Sequence, residues 1–191
     1  MVHNFFLHKQ YETWEPPGVY NQIELDLGCG KGGFTCDLAA RYPERLVIAC
    51  DILAGRVHRV ERKLERRKLE NTQLFVSTAW ELIGILLPDK CLDRVHILCP
   101  DPWPKSKHEA RRLLCSEFLG RLAAKLKPNG VFHFSTDDEP YFDFVHEAIA
   151  ELPMYHADHN GIADIVDLKT DFERLWHSKG KAVRHVAWRV V

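Results

Sequence analysis

The run Leu46-Val-Ile-Ala-Cys-Asp51 contains no polar residue before its last position. A strand with one wet face would alternate apolar and polar side chains, so this one must be covered on both faces. Similar short runs recur at Gln22–Leu27, Gln73–Ser77, Arg94–Cys99 and Val131–Ser135. Between them lie helical patterns at Phe34–Arg41, Arg56–Leu69, Trp80–Leu87, Ala110–Leu126 and Tyr141–Glu151. Pro128-Asn-Gly130 reads as a stop after the fourth of these helices. The chain then offers a short strand at Met154–His156, a helix at Thr170–Lys179 and a last strand at Val183–Val190. Strands alternating with helices predict an α/β fold, Rossmann-like, with a parallel sheet and helices on both faces.

With 191 residues, 46% hydrophobic and 28% charged, one ordinary globular domain accounts for the chain. The organisation expected is an N-terminal arm over 1–20, rich in aromatics and closed by Pro16-Pro17-Gly18, and a domain over 21–191. No apolar stretch approaches the ~18 residues of a membrane span, and the start lacks the pattern of a secretory leader. A cytoplasmic protein without membrane contact, monomer or homodimer, is the expectation. Six cysteines include no C-x-x-C pair, which favours free, mostly buried thiols over disulfides or zinc. His156-x-x-His159 with His177 and His185 lacks metal-ligand spacing and reads as ordinary loop or surface histidines.

Net charge is only −1, yet it is unevenly placed. Residues 54–70 hold seven Lys/Arg against three Glu, and residues 103–127 hold seven against two. The remainder carries 12 basic and 22 acidic residues. Two basic segments on an otherwise acidic chain suit a polyanion; a solvated helix face is the competing reading of 54–70.

Asp26-Leu-Gly28-Cys-Gly30-Lys-Gly32-Gly33 follows the first strand and opens a helix. Such glycines allow a tight turn and close approach to a ligand, and Asp51, ending the next strand, can take both hydroxyls of a ribose. A P-loop is excluded because Phe34-Thr35 follows, not Lys-Ser/Thr. The pocket therefore suits a nucleoside cofactor, NAD or S-adenosylmethionine. A carboxylate at the position of Asp26 repels a pyrophosphate and attracts an ammonium, which favours S-adenosylmethionine.

Cys99-Pro100-Asp101-Pro102-Trp103-Pro104-Lys105-Ser-Lys107-His108-Glu-Ala-Arg111-Arg112 follows the fourth strand. Three alternating prolines hold it extended and stiff. It presents a carboxylate, an aromatic ring and a basic cluster where open α/β sheets bind ligands.

The glycine turn, Pro100-Asp-Pro-Trp-Pro-Lys-Ser-Lys-His with Arg111-Arg112, Ser135-Thr-Asp137 and Thr170-Asp-Phe-Glu173, taken in order, resembles the bacterial tRNA (guanine-N7)-methyltransferase family. The resemblance runs from about Gln22 to the C-terminus, and the D-P-W segment is its most specific part. It implies a seven-stranded class I methyltransferase sheet with an antiparallel last strand. It also implies methyl transfer from S-adenosylmethionine to N7 of the guanine at position 46, in the variable loop of tRNA. By that resemblance Asp26, Gly28, Gly30, Asp51, Thr78 and Asp101 belong to the cofactor site, and Asp101 is catalytic. Lys105, Asp137, Thr170, Asp171, Phe172 and Glu173 belong to the tRNA and guanine site. Thr78 departs from the family pattern, which has an acid there; its hydroxyl accepts a hydrogen bond without charge, and Trp80 is a candidate to compensate by stacking. Thr170-x-x-Glu173 also reads as a capping box, and Asp137-Asp-Glu-Pro140 as a helix start. The remaining alternatives are an NAD-dependent oxidoreductase and a non-catalytic RNA-binding domain on a degenerate methyltransferase fold.

Overall fold

In a computed structural model, residues 2–4, 13–103 and 111–191 are described. The strands are β1 (Val2–Asn4), β2 (Gln22–Leu27), β3 (Arg45–Asp51), β4 (Thr72–Val76), β5 (Leu92–Leu98), β6 (Leu126–Thr136), β7 (Tyr155–Ala157) and β8 (Arg184–Val190). The helices are α1 (Gly33–Arg41), α2 (Ala54–Arg67), α3 (Ala79–Glu81), α4 (Ser116–Lys125), α5 (Glu139–Ala150) and α6 (Asp171–Ser178). A π-helical turn (Leu82–Leu86) continues α3, and a 3₁₀ turn (Ala163–Ile165) precedes α6. No helix among the described residues is long and apolar enough to cross a membrane.

All strands join one sheet in the order β1-β4-β3-β2-β5-β6-β8-β7. Pairings from β1 through β6 are parallel, and β8 runs antiparallel to both β6 and β7. The expected seven-stranded α/β sheet with an antiparallel last strand is present, plus one strand from the N-terminal arm on its β4 edge. Strand order reverses between β2 and β5, which opens a crevice at the carboxyl ends of the parallel strands.

The two faces of the sheet differ. Ile23, Leu25, Val95, Ile97, Phe132, Phe134 and Trp188 pack with residues of α4 and α5 into the largest apolar cluster. Phe132 and Trp188 stack with centroids 5.6 Å apart, and each such ring fully buried contributes about 1.5–3 kcal/mol. The alternate positions on the other face are polar: Glu24, Asp26, Arg94, His96, His133 and Ser135 are all buried. There α1 supplies Phe34, whose ring meets His96 edge-on at 4.9 Å.

Three boundaries differ from the sequence reading. The helix expected from Ala110 begins at Ser116, because Arg112 turns back to donate to the Pro102 carbonyl at 3.0 Å and Leu114 is buried outside any helix. The helix does end before Pro128-Asn-Gly130, at Lys125, but the strand expected from Val131 already begins at Leu126 and runs through these residues, with a register shift against β5 and Asn129 at φ 67°. The irregularity admits a left-handed residue without ending the strand. Trp80–Leu87 divides into an α-helical turn and a π-helical one.

Candidate active site

Two cavities lie over the carboxyl ends of β2, β3, β4 and β5. One, of about 320 Å³, is lined by Gly28, Asp51, Ile52, Ser77, Thr78, Ala79, Asp101 and Trp103 among others. The second, of about 460 Å³, is lined by Asp26, Cys29, Gly30, Phe34, Thr170, Asp171, Phe172 and Leu175 among others. Gly28, Arg56, Leu98, Cys99 and Asp101 border both. The glycine turn and the proline loop thus form the shared border of the smaller cavity and the larger one.

The glycine turn is built by backbone geometry. Gly28 at φ 86° and Gly32 at φ 73° adopt the left-handed region that side-chain-bearing residues avoid. A Cβ at Gly32 would lie 2.5 Å from a methyl of Val60, so α2 closes on the turn only because that position is bare. Gly28 and Cys29 both donate to the Cys50 carbonyl, at 2.8 and 2.9 Å.

Asp51, 4% exposed, accepts from the backbone N–H of Leu53 (2.8 Å) and Gly30 (3.2 Å) and from Arg56 (3.2 Å). Asp26, 3% exposed, accepts from the Thr35 hydroxyl at 2.5 Å. Burial pushes its carboxyl up, the charge of Asp51 adds to this and the Thr35 bond opposes it, leaving it at about 7. A buried carboxyl held near neutrality is one that a cation would ionise.

Thr78 caps α3: its hydroxyl accepts from Glu81 N–H at 3.2 Å, while the Glu81 carboxylate accepts from the Thr78 hydroxyl (2.7 Å) and N–H (3.1 Å). The acid absent at Thr78 is therefore joined to it through hydrogen bonds one helical turn later, a T-x-x-E signal readable as a capping box. Trp80 does not line the cavity; it packs edge-on against Phe118 at 5.1 Å, so stacking by Trp80 does not compensate there.

The proline loop is strained at both ends. Cys99 (φ 51°) and Trp103 (φ 47°) are left-handed non-glycine residues, each costing about 1–3 kcal/mol unless its surroundings dictate it. Cys99 donates to the Ser135 carbonyl at 2.8 Å, Arg112 holds the Pro102 carbonyl, and the Arg111 guanidinium lies 5.1 Å from the Trp103 ring centre. Between these anchors Asp101 is exposed on the border of both cavities. Lys105 lies outside the described residues, as do Lys107 and His108.

The third wall is α6. Thr170 caps it by accepting from Glu173 N–H at 3.0 Å, but the Glu173 side chain does not return the bond. It is 1% exposed and takes Lys169 (2.8 Å) and His185 (3.0 Å) instead, so only half of the expected capping box forms. Burial pushes the Glu173 carboxyl up, and these two partners outweigh it, holding it below the usual range. Asp171 reaches across to accept from Gly33 N–H at 2.9 Å, tying α6 to the glycine turn. Phe172 and Leu175 present apolar surface to the larger cavity. Asp138, not Asp137, caps α5, accepting from Tyr141 N–H at 2.8 Å. Asp137 is exposed and accepts from the Trp176 indole. His185 is no surface histidine; its side chain is 20% exposed and bonded on both sides.

On α2, Arg59, Arg62, Arg66 and Arg67 are exposed, and Arg67 pairs with Asp37 at 2.7 Å. Neither Arg59 nor Arg62 forms an ion pair among the described residues.

The strand-end crevice thus brings together a glycine turn, two buried acids and a stiff acidic loop, on a fold of the class I methyltransferase kind. A family model described as "Putative methyltransferase" matches residues 20–186. The solved 16S rRNA methyltransferase KamB is similar in fold, with a TM-score of 0.66 at 21% identity over 90% of this chain and 89% of its own. The aminoglycoside resistance methyltransferase NpmB1 is similar at a TM-score of 0.60 and 23% identity, over 91% and 89%. Among sequences, the tRNA (guanine-N(7)-)-methyltransferase of Polaromonas naphthalenivorans is 31% identical over 87% of this chain and 69% of its own. Those of Marinobacter nauticus and Thermus thermophilus are 37% and 34% identical over 70% and 90% of this chain, which spans 56% and 55% of their lengths. The chain belongs to the tRNA (guanine-N7)-methyltransferase family.

Proposed function

We propose that the protein transfers a methyl group from S-adenosylmethionine to N7 of a guanine in tRNA, at position 46 of the variable loop. The observation that carries this reading is the shared border at Asp101, a residue that lines both the 320 Å³ cavity and the 460 Å³ one.

The residues present fit the cofactor. Asp51 offers carboxylate oxygens at the 320 Å³ cavity, where ribose hydroxyls would bind. Asp26, buried and facing no cation among the described residues, suits the ammonium of a methionine group, with Gly28 and Gly30 allowing close approach. Thr78 and Ala79 would border the adenine. When bound, the cofactor supplies an electrophilic methyl group on a sulfonium. A pyrophosphate in place of the methionine group would meet Asp26 with like charge, which disfavours NAD.

Guanine N7 has a lone pair and no proton to lose, so no strong base is required of the chain. Its work is to align the base, an effect that supplies roughly 7–11 kcal/mol in well-oriented reactions. Asp101 stabilises the positive charge that the purine gains. N7 must stay unbonded, so the base is held by other edges: Lys105 to O6, and Asp137 or Glu173 to the N1/N2 edge. Thr170 and Asp171 fix α6, and Phe172 gives the base an apolar surface. The arginines of α2 and Arg111 would hold phosphates, making affinity salt-dependent. Residues 1–20 act as an arm and 21–191 as the catalytic domain of a cytoplasmic monomer or homodimer.

The test is incubation with unmodified tRNA and methyl-labelled S-adenosylmethionine, beside thermal shifts with S-adenosylhomocysteine and NAD. Label in tRNA and stabilisation by the homocysteine compound alone are expected. Stabilisation by NAD without labelling would favour the oxidoreductase, and tRNA binding without labelling the non-catalytic domain.

A further inference from the structure

The polar face of the sheet carries an unbroken row of hydrogen bonds from β2 to α6. Glu24 Oε2 lies 2.9 Å from His96 Nε2, and His96 Nδ1 lies 3.0 Å from His133 Nδ1. His133 Nε2 lies 2.9 Å from His185 Nδ1, and His185 Nε2 lies 3.0 Å from Glu173 Oε1. Glu24, His96, His133 and Glu173 are 3% exposed or less, so each of these bonds must hold a proton or leave a buried group unsatisfied.

Proton counting decides the state of the row. It has four gaps and needs four protons. Three neutral imidazoles supply three, because each carries one N–H. We propose that the row holds a fourth proton between His185 and Glu173, and that His185 is thereby the positioning residue that fixes the Glu173 carboxylate on α6, whose Asp171 and Phe172 line the larger cavity.

The geometry sets each ring. Glu24 also takes Arg94 (2.9 and 3.0 Å) and Arg45 (2.6 Å), which holds it ionised, so His96 donates through Nε2. His96 and His133 are 0% and 3% exposed, which keeps the extra charge off them, so His96 Nδ1 accepts from His133 Nδ1–H and His133 Nε2 accepts from His185 Nδ1–H. His185 must donate through Nε2 as well, since Glu173 also receives Lys169 on the same oxygen. His96 and His133 are neutral and His185 is the imidazolium. Burial pushes His96 and His133 down, in agreement.

The charged and titratable groups facing this end are Glu173, Lys169 and His177 (3.7 Å from Glu173) on the α6 side, Cys99 after β5, whose thiol senses the Glu173 charge, His133 on β6, and His96 with Arg94 beyond it. Arg184, on the strand of His185 itself, is paired with Glu139. With Oε1 occupied, Glu173 Oε2 is left buried and without a hydrogen-bond partner among the described residues. Such an acceptor suits an incoming donor. The functional consequence rests on the reading above, in which Glu173 meets the guanine.

The test uses the ¹⁵N-labelled full chain, with imidazole nitrogens followed by long-range ¹H–¹⁵N correlation at pH 6 and signals assigned with His133→Gln and His185→Gln. Expected are an Nε2–H tautomer at His96, an Nδ1–H tautomer at His133 and both nitrogens protonated at His185. A neutral His185, or the charge on His96 or His133, overturns the proposal. A second measurement is kcat/KM for tRNA against pH. The wild type is expected to fall roughly tenfold per unit on the alkaline side as the proton is lost, and His185→Gln, whose amide does not titrate, to lack that limb. An identical limb in both proteins also overturns it. If the wild type methylates nothing, the functional reading fails, and the tautomer assignment still decides the row.

Discussion

The wall of the site made by β2, β3 and β4 and the wall made by the proline loop and α6 are built on different principles. In the first, Asp26 and Asp51 are buried at strand ends, and Asp51 is fixed by backbone N–H groups 2 and 21 residues away. In the second, Asp101 and Asp137 are exposed, the loop carries strained backbone at Cys99 and Trp103, and α6 is held by a bond spanning 138 residues. The difference suits two tasks. A small cofactor needs a fixed, dry mould, whereas a large polyanion needs charge and aromatic surface facing outward.

The sharpest way to break this comparison is Asp101→Ala. Methyl transfer under single-turnover conditions is expected to fall about 10²–10³-fold, the cost of removing one electrostatic stabiliser. Affinities for tRNA and S-adenosylhomocysteine, measured separately by titration, should stay within about threefold. Near-normal transfer would remove Asp101 from the chemistry.

A second prediction probes the buried wall alone. Only the ionised Asp26 attracts an ammonium, and its carboxyl titrates at about 7 in the free protein. Raising the pH from 6 to 8 therefore ionises it, and S-adenosylhomocysteine should bind about tenfold more tightly at pH 8. Calorimetry on Asp26→Asn should show no such rise; a parallel rise would assign the effect elsewhere.

The smallest effect belongs to the outer surface. Reversing Arg59 and Arg62 to Glu should weaken tRNA binding several-fold at fixed salt and reduce the log–log salt slope by about 2. An unaltered slope would return α2 to the status of a solvated helix.

How much of this was legible in the sequence follows the same division. The glycine turn, Asp26, Asp51 and Asp101 were readable because strand, turn and acid are adjacent in the chain. Short apolar runs alternating with helices likewise pointed to the parallel sheet, while its antiparallel last strand was legible only through the family resemblance. The second wall was less legible, since its contacts join distant segments. Nothing near Thr170 reveals that Glu173 abandons the cap for His185 and Lys169, and nothing near His96 reveals that Glu24, 72 residues earlier, is its partner. Local turn chemistry at Pro128-Asn-Gly130 did not show that β6 already begins at Leu126, paired with Leu92 of β5 ahead of the register shift. The early start expected for α4 failed for a similar reason: Arg112 is drawn back to Pro102 by a tertiary bond.

The central claim is that the joined cavities hold a methyl donor and a guanine so that N7 meets the methyl group beside Asp101. The most direct test is to treat unmodified tRNA with the protein and S-adenosylmethionine, then cleave the RNA chemically at 7-methylguanine and map the break. The account predicts a single new cleavage at the variable-loop guanine, dependent on the cofactor. Methylated tRNA that resists this cleavage, or breaks scattered over many guanines, would contradict it.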